Sequence, residues 1–129
     1  MSQLSLFQKR IQDEIPLSRA LGIQLHSWDG HSLLLSAPLE PNKNHQGTGF
    51  GGSVYSAAVT AAWGLTELAL WDLGLKGNVV VQSGNIDYLE PVSSDFYVNL
   101  GHSDPQVLNM MWSDLVDPFM AGAIFEPGA

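Results

Sequence analysis

Between residues 42 and 53 the chain gathers two asparagines (Asn42, Asn44), His45, Thr48, Phe50, Ser53 and four glycines (Gly47, Gly49, Gly51, Gly52). Glycine gives up more backbone freedom on folding than any other residue, so the cluster is costly unless the chain must turn sharply or approach something closely. A long run of apolar and small residues follows directly, beginning at Val54 and continuing through Ala57, Ala58, Ala61 and Ala62. A helix starting there would point unpaired N–H groups and a partial positive charge into the loop. The chemistry predicted is recognition of a carbonyl or phosphate oxygen by backbone donors. His45 is a candidate general base, with a solvent-exposed loop histidine as the alternative. Asn44 could contact a ligand, or shape the loop through an Asx-type bond.

The elements that must position this loop follow from periodicity. Leu4, Phe7, Ile11 and Ile15 recur at helical spacing, Ser5 with Gln8 resembles a capping box, and Pro16 ends the pattern. Gly22 to Trp28 and Ser32 to Ala37 predict two strands joined at Asp29-Gly30. Pro38 and Pro41 then break the sheet before the glycine loop. From Gly52 to about Leu73 the pattern is apolar on nearly every side, which predicts a buried central helix of about 33 Å. Asn78 to Leu89 predicts a long strand closed by Pro91, with Asp87 on its polar side, and Asp95 to His102 another. Val107, Leu108, Met111 and Leu115 predict a helix after Asp104-Pro105. Phe119 to Phe125 predicts a last short strand. After His102 there is room for one strand but not readily for two long ones, so the end of the sheet is expected to be shortened.

Residues 1–129 form one domain on this reading, of the α+β class with an antiparallel sheet. A helix apolar all round needs a cover that a single short chain scarcely supplies, so a homodimer is expected. The formal net charge of −8, from 13 acidic and 5 basic side chains, repels phosphate backbones, and with no basic stripe it argues against nucleic-acid binding. With no cysteine, disulfide and thiolate chemistry are excluded. His26, His31 and His102 lack metal-ligand spacing, so no metal is expected, and no cofactor. No apolar run reaches the length of a membrane span and no signal-peptide pattern opens the chain, so the expected setting is the cytoplasm, away from membranes.

Placed in order, Pro41-Asn42-x-Asn44, Gly47-Thr48-x-Phe50-Gly51-Gly52-Ser53, Trp63-Gly64 and Tyr88-Leu89-x-Pro91-Val92 resemble the hotdog-fold acyl-thioester family. The likeness is greatest to its small bacterial thioesterase branch, which is also found joined to acetyltransferase domains. It implies a curved antiparallel sheet wrapped around the long central helix. It also implies a substrate that is an acyl-CoA or acyl-carrier thioester, with a dimer that could pair further into a tetramer. The Gly51 or Gly52 amide would polarise the thioester carbonyl as an oxyanion hole does. Asn44 fills the family's loop asparagine position and is, with Gly51 and Gly52, a catalytic candidate. Asn42, His45, Gly47, Thr48, Phe50, Ser53 and Asp87 are the candidate substrate-binding positions.

The chain departs from the family in two places. Phe50 stands where many relatives carry a histidine, and Val59 where others carry a water-activating aspartate two turns into the helix. Thr60, adjacent, is the catalytic candidate there, and Glu67 lies two turns further along. A thioester hydrolase is the leading expectation. The alternative is a non-catalytic acyl-thioester or lipid-binding dimer. A dehydratase would need a paired histidine and acid that the loop and helix do not supply.

Overall fold

The computed structural model describes residues 1–75, 78–84, 86–101, 108–113 and 120–123. Helix α1 spans Gln3–Glu14, and Ser2 rather than Ser5 caps it, its Oγ accepting the Ser5 N–H at 3.1 Å. The spacing of Phe7 and Ile11 puts both on one side, and both are fully buried. Gln8 is therefore free of capping. Its Nε2 donates to the Ile23 carbonyl and its Oε1 accepts from the Leu25 N–H, which ties the helix to the first strand.

A second helix, α2 (Leu17–Leu21), follows Pro16 and ends at Gly22, which adopts a left-handed φ of 74°. The sequence pattern shows no sign of α2, because five residues are too few for periodicity to register. Strands β1 (Gln24–Trp28) and β2 (Ser32–Ala37) make the expected hairpin at Asp29-Gly30. The Asp29 carboxylate closes it, accepting the backbone N–H groups of Ser32 at 2.6 Å and His31 at 2.8 Å. These bonds, Ser32 first, hold the Asp29 pKa below the ordinary carboxylate value.

Helix α3 runs from Gly51 to Asp72, 22 residues, one residue from each predicted end. Ala57, Ala58, Ala61 and Ala62 are buried along it, and their small side chains let neighbouring layers come close. At Gly64 a Cβ would meet Leu33 at 3.2 Å and the Phe7 ring at 3.4 Å, so the helix is flanked there by both β2 and α1. Buried hydroxyls on α3 bond back to its own carbonyls, Thr60 to Ser56 and Thr66 to Ala62.

Strand β3 covers Asn78–Gly84, shorter than predicted, since Ile86 to Leu89 lack regular structure. Strand β4 (Phe96–Gly101) pairs with β2, setting Ala37 opposite Phe96, Leu35 opposite Val98 and Leu33 opposite Leu100, all buried. The helix predicted through Leu108 and Met111 is not present: Leu108–Ser113 is strand β5. Leu108, Met110 and Trp112 also alternate, and pairing with β3 satisfies a backbone that the helical pattern would have satisfied internally. Asp104, Val107, Leu115 and His102 lie outside the described residues. Strand β6 (Met120–Ala123) falls within the predicted last strand, so the described residues beyond Gly101 hold two short strands. The described strands pair in two antiparallel sheets, in the orders β1-β2-β4 and β3-β5-β6, where a single sheet was expected. Helix α3 touches strands of both.

Candidate functional site

The loop that leads into α3 is a closed knot of hydrogen bonds. The buried Asn42 side-chain amide donates to the Leu21 carbonyl at 2.7 Å and to the Pro38 carbonyl at 2.8 Å. Its own carbonyl accepts the Phe50 N–H at 2.7 Å, so one residue pins both ends of the loop. Asn44 organises the interior. Its Oδ1 accepts the N–H groups of Gln46 and Thr48, its Nδ2 donates to the Thr48 hydroxyl, and its backbone pairs with Thr48 and Gly47. Gly47 takes a φ of 77°, the left-handed turn that the Asx geometry requires. Asn42 thus holds the loop from inside, and the oxygen of Asn44 is engaged in shaping it.

Gly49 brings the loop onto the segment after Tyr88. Its N–H donates to the Val92 carbonyl at 2.7 Å, and a Cβ there would lie 2.9 Å from the Val92 side chain. Phe50 then caps α3 without a side-chain hydrogen bond, and Val54 is the first residue to bond back, to the Phe50 carbonyl. The three N–H groups between them, at Gly51, Gly52 and Ser53, meet no acceptor among the described residues. Gly52 is exposed, Gly51 and Ser53 half-buried. A Cβ on Gly52 would come within 2.6 Å of the Phe50 ring, which lies across it. Half of Phe50 is nonetheless open to solvent. These amides form a donor array at the positive end of a 22-residue helix, suited to one carbonyl oxygen.

The other predicted site residues lie at varied distances from this array. Thr48 is at the loop's base, engaged with Asn44, while His45 and Gly47 are exposed in the loop. Thr60 sits about 12 Å along the axis from Gly52, at ~1.5 Å per residue, and donates its hydroxyl to Ser56. Within one protomer it does not reach an oxygen held at Gly52. Glu67 lies about 22 Å along the same axis and pairs with Arg10 at 3.1 Å. Arg10 also binds Glu14 and lies over the Phe7 and Trp63 rings. Burial opposes the Arg10 charge, but the two carboxylates outweigh it and raise its pKa. Glu67 therefore joins α1 to α3. Asp87 is exposed in the irregular segment after β3 rather than on a strand.

One residue beside the array was not among the predicted site positions. The Tyr88 hydroxyl donates to the Gly51 carbonyl at 2.7 Å, and its ring lies where a Cβ on Gly51 would meet it at 3.4 Å. The available signal was the Tyr88-Leu89-x-Pro91-Val92 ending, whose distance along the chain from Gly51 hides the contact. Among the described residues no cluster of three or more His, Cys, Asp or Glu could hold a metal ion. No helix there is long and apolar enough to cross a membrane.

An antiparallel α+β body with one long helix opened by glycines fits the resemblance noted in the sequence, and comparison with known proteins agrees. A family model described as "Putative thioesterase (yiiD_Cterm)" matches residues 4–120. The chain belongs to this family, whose structural neighbours are hotdog-fold thioesterase family members. Among solved structures, a protein of unknown function from Chlorobaculum tepidum TLS is 30% identical, with 88% of this chain and 80% of that one covered and a TM-score of 0.74. A protein described as "putative thioesterase" from Shewanella oneidensis is 28% identical, with coverages of 93% and 90% and a TM-score of 0.74. A thioesterase from Haemophilus influenzae, 15% identical with coverages of 98% and 90%, shares the fold at a TM-score of 0.70.

Proposed function

We propose that the chain hydrolyses acyl thioesters, of coenzyme A or of an acyl carrier protein, with the Gly51–Gly52 amides polarising the thioester carbonyl. Water adds to the carbonyl carbon, the oxyanion is held by the backbone donors, and the thiol leaves with the proton that water gives up. The observation that carries this reading is the run of N–H groups at Gly51, Gly52 and Ser53 that find no acceptor among the described residues, presented by a loop fixed at both ends. One such donor is worth about 3–4 kcal/mol to a developing oxyanion. In this reading the two sheets form one curved layer around α3, which contacts both. Two copies then enclose the cleft that takes the pantetheine arm, in the cytoplasm.

A second reading, a non-catalytic acyl-thioester or lipid binder, is favoured by a specific observation. From Phe50 to Thr66 the chain has no histidine or carboxylate, and Glu67, the first acid beyond, is bound to Arg10. Thioester turnover followed by free-thiol release separates the two readings. In Gly52→Pro the critical N–H is lost at the second helical position, within the first turn, where it makes no intrahelical bond. Gly52→Ala keeps the N–H and controls for the crowding against Phe50. Activity should fall by about 100-fold or more in Gly52→Pro and remain closer to the parent in Gly52→Ala, with circular dichroism unchanged in both. No turnover of any acyl-CoA, combined with thermal protection by one, would establish the binder instead.

A further inference from the structure

We propose that Tyr88 is a positioning residue for the thioester site, its hydroxyl polarising the peptide group that joins Gly51 to Gly52. The inference rests on the reading of the Gly52 amide as the carbonyl donor. The Tyr88 hydroxyl donates to the Gly51 carbonyl oxygen at 2.7 Å. That oxygen and the Gly52 N–H belong to one planar, conjugated unit. Drawing electron density toward the oxygen depletes the nitrogen, so each hydrogen bond in the chain strengthens the next. Tyr88, Gly51 carbonyl, Gly52 N–H and substrate oxygen would form one such relay. The carbonyl's second lone pair is left for the helix bond four residues on.

The surrounding geometry holds the relay in place. The Tyr88 ring closes on Gly51, where a Cβ would meet its Cζ at 3.4 Å and its oxygen at 3.5 Å, and the Phe50 ring lies against Gly52. Tyr88 is carried by the chain segment whose Val92 carbonyl accepts the Gly49 N–H, so hydroxyl and amide belong to one fastened unit. Burial, and after it the neighbouring Tyr55, raise the phenol pKa above its ordinary value, so the group stays protonated and donating at neutral pH.

Tyr88→Phe removes the hydroxyl and keeps the ring. In the 15N-labelled full chain, the Gly52 amide resonance should move upfield more than any other in α3. Turnover of a short acyl-CoA should fall by about three- to tenfold in kcat with little change in KM, because the lost stabilisation grows with the charge on the oxygen. Incorporating 3-fluorotyrosine at position 88, a stronger donor of nearly the same shape, should shift the Gly52 resonance the other way. An unchanged Gly52 resonance in Tyr88→Phe overturns the inference whatever the activity. Inactivity of the parent protein would instead defeat the hydrolase reading, and the resonance would still decide on the polarisation.

Discussion

Asn42 and Asn44 lie two positions apart and do different work. The single side-chain nitrogen of Asn42 donates both its protons inward, to the carbonyl of Leu21 in a buried bond and to that of Pro38 in a part-buried one. In Asn42→Ala both carbonyls lose their donor, at about 1–3 kcal/mol for the buried Leu21 carbonyl and less for that of Pro38, before relaxation. A loss of roughly 2–4 kcal/mol in stability is expected from urea unfolding. Asn44→Ala should cost less, because Asn44 is half-buried and water can replace its bonds. A larger loss for Asn44→Ala would sink this division of roles. The sequence shows both amides clearly but not their directions. An asparagine beside glycines is consistent with a ligand contact and with an Asx turn, and only the partners decide. Tyr88 was less legible still, because its contact with Gly51 bridges two segments that no local pattern connects.

At the level of elements, α1, the β1–β2 hairpin and α3 each declare themselves through a period or a turn, and the structure places them within a residue or two. The segment at Leu108–Ser113 does not, since its apolar residues fit a period of two as well as one of 3.6. Pairing with β3, a tertiary fact, chooses between them. The hairpin carries a pH dependence of known sign. Asp29 has a depressed pKa when folded, so its stabilising effect is present above the ordinary carboxylate range and is lost as the pH falls through the folded value. Melting temperatures of the parent and of Asp29→Ala should therefore differ near neutral pH and converge in acid. A gap that stays constant into acid would show that the carboxylate charge plays no part.

For the whole molecule, the question is what covers the exposed apolar side chains. Phe50, Val80, Val81, Tyr88 and Leu89 are all between two-fifths and five-sixths exposed. Among the described residues β3 pairs only with β5, which leaves its other edge with unpaired backbone groups. A second copy meeting that edge would bury both, in line with the proposed homodimer. Light scattering should then give twice the chain mass, and Val81→Lys should shift the species toward the single-chain mass. A monomeric parent protein would remove the inter-subunit cleft from the proposed function while leaving the helix terminus intact.

The bonded and unbonded amides at the head of α3 fall in a sharp sequence. Among the described residues Gly49 and Phe50 are fastened, Gly51, Gly52 and Ser53 meet no acceptor, and Val54 is fastened again. Their protons consequently trade with water at unequal rates, slow on either side and fast across three neighbours. Whatever settles on this helix end must slow those three first. The protein thus carries a built-in tracer for its own occupancy, readable by deuterium uptake before the occupant is known.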